Sequence, residues 1–581
     1  MNTKITTIAL LLGASLCAWG NHVTPERALS IANEFVANGS HRAPSTATNP
    51  FTLSHTAINT VDQATDFYVF NREGGNGFVI VAGDDAGTPV LAYSDHSNMD
   101  MDNLPCNVQY WLEQYQQQLL QLRQHPELAR QPKRLSTSVE PLLTTKWGQK
   151  EPYNNLCPTL DGEKTVTGCV ATALAQIMKY HNWPERGIGS ETYEWENSGT
   201  QLSCDFSQST YQWDKMLDGY GNVYYLLWSN SSGECWDSDY YEYSDEQATA
   251  VATLMRDVGH ALHMNYGPTS YAFTYMVASA ILNHFNYDSG FQHLNRESYE
   301  IIYDSDSWDN TLRNELDCER PILYVGYSEN EGHAFVLDGY DNSGYFHINW
   351  GWSGIDDGYF LTSASGTFIN NQEAVIGIQP NTGSGKNAPL VGCCFDFNPM
   401  QDYLQANLGD VARISLKYAF AIKSNCNSLH LGLLILNESE SIVVKDYMET
   451  HDINEIRWSM EYVGGYSFWL PSDLANGRYH LKWAFSTDNK ATYTPFLCPV
   501  GHPGYILMEV KDGVAYFSLE EYRRGDVDNS GSLDGIDLNI LINIILGKDN
   551  ADNYGGRADL DSSGSCDGND LNQLINLLLG K

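Results

Sequence analysis

Apolar residues recur at helical spacing in several stretches of the chain and alternate in others. Thr24-Pro25-Glu26 supplies an N-cap, a proline at the first helical position and an early acid. Ala28, Leu29, Ile31, Ala32, Phe35 and Val36 then share one face, which predicts an amphipathic helix. Strand-like runs at Phe67–Phe70 and Gly77–Ala82 flank the Gly-rich stretch 71–76 and predict a hairpin. A second helix is expected over Val108–Leu122.

A Gly then precedes a Cys at Gly168-Cys169. Val170, Ala173, Leu174, Ile177 and Met178 give the following helix an apolar face, and Pro184 stops it. Ser244 with Gln247 three residues on forms a capping box ahead of Ala248, Val251, Ala252, Met255, Val258 and Leu262. Thr274–Phe285 predicts a further helix. Strands follow at Ile322–Tyr327, His333–Tyr340, Tyr345–Trp350 and Gly358–Leu361. Helices first and an antiparallel sheet afterwards is an α+β pattern. Beyond a Gly/Ser/Asn/Pro-rich linker, residues 390–520 carry short alternating runs, from Ala412–Phe420 to Val514–Leu519, at the spacing of a β-sandwich. The tail repeats itself, with two apolar helices at Leu538–Leu546 and Leu571–Leu579.

The 581 residues carry a net charge of −39, which argues against nucleic-acid binding and against docking on anionic membranes. Lys4, the apolar run Ile5–Leu16 and Ala18-Trp19-Gly20 read as an export signal, and no other apolar run is long enough to span a bilayer. Twelve cysteines, eleven once Cys17 leaves with the leader, show no CxxC pair. An odd number implies at least one free thiol.

Cys169 opens a helix, where unpaired N–H groups and the positive helix end favour thiolate; the alternative is a small buried hydrophobe. A nucleophilic thiol needs a base, and His333 stands at a strand start behind a small residue. Asn349, sixteen residues on, is a candidate to orient that imidazole, with Trp350 as its shield. Pairing Tyr340 with Tyr345 points Asn349 to the other face from His333, so this arrangement requires a bulge. Gln149 is a candidate oxyanion donor beside the Cys169 backbone N–H. In the tail, Asp526, Asp528, Ser530, Gly531, Ser532, Asp534 and Asp537 fit the ligand spacing of an EF-hand-type Ca²⁺ loop. Asp559, Asp561, Ser563, Gly564, Ser565, Asp567 and Asp570 repeat it 33 residues later. Two structural Ca²⁺ sites are therefore expected, with no cofactor for catalysis.

The stretches TGCVATALAQIMKYHNWP, GHAFVLDGY, HINWGW and NYGPTS resemble the streptopain family of papain-like cysteine peptidases, and FYVFNREGGNGFVIVAGDDAGTPVLAYSD resembles its propeptide. The likeness covers about residues 23–380. It implies a secreted zymogen that cuts itself near Gln131–Val139, with Cys169 as nucleophile, His333 as base and Asn349 and Trp350 in support. Tyr271 stands where the family often has a small residue and is expected to narrow the cleft. The paired Ca²⁺ loops resemble a type I dockerin, which implies a cohesin partner. The expected order is leader (1–20), α+β propeptide acting as internal inhibitor (21–137), α+β papain-like peptidase (138–380), linker (381–389), β-sandwich-like domain (390–520) and small α-helical Ca²⁺ module (521–581). The expected activity is cysteine endopeptidase on protein or peptide substrates. A thiol acyltransferase using the same pair, or a non-catalytic adhesion or scaffold protein, is the alternative.

Overall fold

The computed structural model describes residues 22–38, 50–125, 137–382, 391–518 and 525–578, with short interruptions inside these spans. The expected leader lies outside the described residues, as do most of the expected linker ahead of Val139 and residues 383–390. Among the described residues no helix is long and apolar enough to cross a membrane.

The N-terminal part is helix α1 (Pro25–Asn38), strands β1 (Phe51–Ile58), β2 (Thr65–Arg72), β3 (Phe78–Ala82) and β4 (Val90–Ser94), and helix α2 (Cys106–Gln124). The expected hairpin is β2–β3, paired from Phe67↔Ala82 to Asn71↔Phe78. Every residue of β2, β3 and β4 is buried, so these strands read as continuous apolar runs rather than alternating ones.

The central part begins with α3 (Cys169–His181), α4 (Asp245–Ala261), α5 (Met276–Asn283) and α6 (Ser305–Asp317). Strands β5 (Gln292–Asn295), β6 (Ile322–Tyr327), β7 (Gly332–Tyr340), β8 (Phe346–Asn349), β9 (Gly358–Phe360) and β10 (Gln372–Ile376) complete it. The capping box of α4 is present, with Gln247 N–H donating to Ser244 Oγ and Ser244 N–H to Gln247 Oε1. Strands β1, β4, β5 and β10 and the hairpin Ser190–Trp195 with Thr200–Asp205 lay outside the expected set, as did two larger elements. The first is α6, whose Trp308, Leu312 and Leu316 are fully buried. The second is the hairpin Gly221–Asn230 with Gly233–Tyr241.

These two parts are not separate bodies. Their strands form one ten-stranded sheet in the order β1-β2-β3-β4-β9-β8-β7-β6-β10-β5, all neighbours antiparallel. The seam is β4 against β9, with Tyr359 opposite Tyr93 and Phe360 opposite Ala92. Strand β7 divides two cores. Its Phe335 and Leu337 pack with Trp111, Leu119, Val81 and Trp350. Its Ala334 and Val336 pack with Val170, Leu174, Ile177 and Met255 under the helices. Period-two alternation thus places α2 and α3 on opposite sides of β7, whose second residue is His333.

Residues 391–518 form two antiparallel sheets around a separate apolar core, as expected of a sandwich. Both the strand Val391–Pro399 and the strand Met460–Trp469 join the set expected from the sequence. The tail packs α7 (Gly535–Ile545) against α8 (Gly568–Leu578) through Leu541, Ile544 and Leu574.

Candidate active site

Cys169 is the first residue of α3, and the helix follows from the apolar spacing behind it: residues 170–178 are all buried. Gly168 ahead of it has φ +86°, and a Cβ there would lie 2.7 Å from Met264 Sδ and 3.3 Å from the Ser270 carbonyl. Only glycine brings the chain into the helix at this angle. The preceding residues are braced by the Gly-Pro loop, since Val166 N–H donates to the Gly267 carbonyl and Ser270 Oγ donates to the Val166 carbonyl. Tyr271 on this loop is exposed, and its hydroxyl is tied to Asn265 and Glu196.

The Cys169 sulfur is half-buried and accepts from the Ala334 N–H at 3.4 Å. Burial pushes the thiol above its ordinary pKa, while the N–H groups of Ala334, Val170 and Cys169 pull it down. The backbone N–H groups act in the direction expected of a helix start, and burial acts against them and outweighs them. Ala334 follows His333, so strand β7 brings the thiol and imidazole residues to one place. Among the described residues the partners of the Cys169 sulfur are backbone N–H groups rather than the His333 ring. The ring is instead met by α2: Cys106 Sγ lies 3.7 Å from His333 Nδ1, and the Tyr110 ring centroid lies 6.2 Å away.

Asn349 does not orient His333. A bulge at Asp338 does interrupt the β7–β8 register, yet Asn349 pairs with Val336 and shares its face, toward α3. Its Oδ1 accepts from Gln176 Nε2 at 3.0 Å and from the Gly351 N–H at 3.1 Å, and its Nδ2 donates to the Thr145 carbonyl at 2.7 Å. Gln176, two turns along α3 from Cys169, is the member the sequence reading missed. Its Oε1 accepts from Thr145 Oγ1 and the Trp147 N–H, so a buried amide pair ties segment 145–147 to α3. A polar residue on the buried face of an otherwise apolar helix was the available signal. Trp350 is fully buried, but it packs among Phe335, Phe360 and Trp111 rather than over an Asn–His bond. Its carbonyl accepts from Asn107 Nδ2, in the first turn of α2, at 2.9 Å. Gln149 is 8% exposed; its carbonyl accepts from the Thr167 N–H, and its amide has no hydrogen-bond partner among the described residues.

A second buried polar pair joins β7 and β8. His347 Nδ1 and Asp338 Oδ1 are 2.6 Å apart, and Asp338 Oδ2 accepts from the Leu143 N–H. Burial disfavours a charged His347, but Asp338 overcomes it and the ring's pKa is raised. Asp357 accepts from the Trp350 N–H, and burial pushes its carboxyl up to about 7.

In the tail, one carboxylate oxygen from each of Asp526, Asp528 and Asp537 lies within 4.8 Å of the others, and Asp526 and Asp537 are buried. Three converging acids fit a hard divalent cation such as Ca²⁺. Asp537 Oδ1 also accepts from the Val527 and Asp528 N–H groups. In the second loop Asp570 is fully buried and accepts from the Asp567 N–H. Ser530, Ser532, Asp534, Asp559, Asp561, Ser563 and Ser565 lie outside the described residues.

Comparison with known proteins supplies three family matches: Peptidase C10 family over residues 147–360, Spi protease inhibitor over 20–119 and Dockerin type I domain over 524–579. The chain is 31% identical over 406 residues to the thiol protease/hemagglutinin PrtT of Porphyromonas gingivalis, matching 64% of this chain and 44% of that protein. It is 31% identical over 358 residues to streptopain of Streptococcus pyogenes, matching 54% of this chain and 81% of that protein. Among solved structures, a prointerpain A fragment of Prevotella intermedia aligns with TM-score 0.47 and 29% identity, covering 56% of this chain and all of that one.

Proposed function

Because the chain belongs to the peptidase C10 (streptopain) family, we propose that it is a cysteine endopeptidase exported as a zymogen, with Cys169 as nucleophile and His333 as its acid–base partner. The observation that supports this most is the meeting of α3 and β7, which sets the Cys169 sulfur 3.4 Å from the N–H of the residue after His333. Cys169 passes its proton to His333 and attacks the peptide carbonyl. His333 then protonates the leaving amine, and water deprotonated by the same ring releases the acyl group as a carboxylate. The Cys169 N–H and the free Gln149 amide are the donors for the oxyanion. Gln176 and Asn349 hold the segment leading to Gln149 against the Cys169 helix, and Trp350 fixes the floor beneath His333. Residues 21–137 serve as the inhibitor: α2 engages His333, and β4 extends the enzyme's own sheet.

The same reading gives the tail a cohesin-type partner on a scaffold or cell surface. Asp526, Asp528 and Asp537, with the remaining loop oxygens, hold Ca²⁺, and the second loop holds another. The ion would neutralise the converging carboxylates.

Full-length Cys169→Ala tests the assignment. Peptide hydrolysis should fall by about 10⁴-fold or more, and the purified chain should keep its pro-segment. Self-removal of the pro-segment by this variant, read by mass spectrometry, would overturn it.

A further inference from the structure

The Gly-Pro loop beside Cys169 carries a row of aromatic rings that the bond-breaking chemistry does not use. Burial alternates along it. Ser270 and Thr274 are buried and Ala272 is half-buried, while Tyr271 and Phe273 are 46% and 59% exposed. The outward rings touch in series. Tyr271 meets Phe273 edge-on with centroids 6.3 Å apart, and Phe273 stacks on the half-buried Tyr275 at 5.3 Å. The inward side of the loop lies against the chain that turns into Cys169. The Ser270 carbonyl is 3.3 Å from where a Cβ on Gly168 would stand, and Ser270 Oγ donates to the Val166 carbonyl. Adjoining rings left in water next to a reacting group form a binding surface rather than core.

A carboxylate closes the Tyr271 end of the row. The hairpin Ser190–Trp195 with Thr200–Asp205 is strapped to the loop through its turn. Asn197 N–H donates to Asn265 Oδ1, and Asn197 Nδ2 and Trp195 Nε1 both donate to the Tyr266 carbonyl. The same turn presents Glu196, which is exposed. Its Oε2 accepts from the Tyr271 hydroxyl at 3.0 Å and from Asn265 Nδ2 at 3.4 Å. Both donors are neutral, and among the described residues Oε1 has no hydrogen-bond or ion-pair partner. The carboxylate is therefore held at the ring with its charge uncancelled by any described cation of this chain. Ring faces attract a cation, and a carboxylate binds its N–H donors. A guanidinium satisfies both, because it is planar enough to stack and carries donors along its edge, while its methylene stem packs on apolar surface.

We propose that Tyr271, Phe273 and Glu196 form a specificity subsite that takes an arginine side chain of the peptide substrate close to the scissile bond. The proposal rests on the reading of Cys169 as the nucleophile. The wild-type full-length chain, allowed to process itself, is given internally quenched peptides. These carry arginine or its uncharged analogue citrulline at one position at a time on either side of the bond. At one position kcat/KM for arginine should exceed that for citrulline by about tenfold. A ratio near one at every position would overturn the subsite. In Glu196→Gln the ratio at that position should fall to near one, and in Phe273→Leu, which keeps apolar bulk without the ring, it should fall about threefold. The citrulline peptide is measured in each variant, so a general loss of activity cancels from the ratio. A wild-type ratio in Glu196→Gln would overturn the role of the carboxylate, and one in Phe273→Leu that of the ring. The Cys169 assignment is read separately, since Cys169→Ala should cleave neither kind of peptide.

Discussion

Gln149 is 8% exposed and its side-chain amide has no hydrogen-bond partner among the described residues, so in the proposed reaction its N–H donors are available to charge that develops at the substrate. Gln149→Ala should lower kcat by about 10²-fold with little change in KM, because the donor acts on the oxyanion rather than on the bound ground state. Alkylation of Cys169 by iodoacetamide, which forms no oxyanion, should proceed at the wild-type rate. A parallel loss of both rates would show that the change disturbs the fold instead. Cys169, His333 and Gln149 were legible as residue types at suggestive positions. The place of Asn349 was not, because a strand residue's face depends on where the bulge falls. Here the bulge falls at Asp338, between His333 and Asn349 along the two strands, and the amide still turns to Gln176.

At the scale of elements, the decisive join is β4 with β9. Tyr93 stacks on Tyr359 with ring centroids 5.0 Å apart, and its hydroxyl donates to Asp341 at 2.7 Å. Ser94 Oγ donates to the carbonyl of Asp357, so the end of the pro-segment strand touches the residue whose carboxyl is pushed up to about 7. The sign of its pH effect follows from linkage. An unfolded aspartate ionises near pH ~4, so between about 4 and 7 the unfolded chain has lost a proton that the folded chain keeps. Stability from this residue therefore falls as pH rises through that window and levels off above it. His347, with its raised pKa, adds to the same trend, its contribution being present at low pH and lost as pH rises through its folded pKa. In the Cys169→Ala zymogen, Asp357→Asn should flatten the decline in Tm between pH 5 and pH 7.5 measured by calorimetry. A variant as steeply dependent as its parent would remove Asp357 from the account. The hairpin β2–β3 was readable because its apolar runs are continuous. Helix α6 escaped because its surface is dense in Asp, Asn and Arg, although Trp308, Leu312 and Leu316 keep a four-residue spacing.

For the whole molecule, the charge of −39 and the acidic tail set the conditions for folding of the last module. Its core is small: Val527, Leu541, Ile544, Ala558, Leu560 and Leu574 are its buried apolar residues among those described. Such a core has little to set against the repulsion of Asp526, Asp528 and Asp537. Chelation of Ca²⁺ in the full-length chain should abolish hydrogen-exchange protection in α7 and α8 while α3 and α4 keep theirs. Protection that persists in the tail without the ion would contradict a Ca²⁺-dependent fold.

Local chemistry written in the sequence determined much of this protein on its own. Period 3.6 behind Cys169, the capping box at Ser244 and the repeated acidic spacing of the tail each need only a few neighbouring residues to act. What only the tertiary structure decided are relations between distant segments. These are the fusion of the pro-segment strands into the enzyme's sheet, the pairing of Asn349 with Gln176, the outweighing of the helix end by burial at Cys169, and the approach of Cys106 to His333 across 227 residues. Each depends on strand order and on which face a side chain takes. Those are settled by how two apolar cores share β7, which no local pattern encodes.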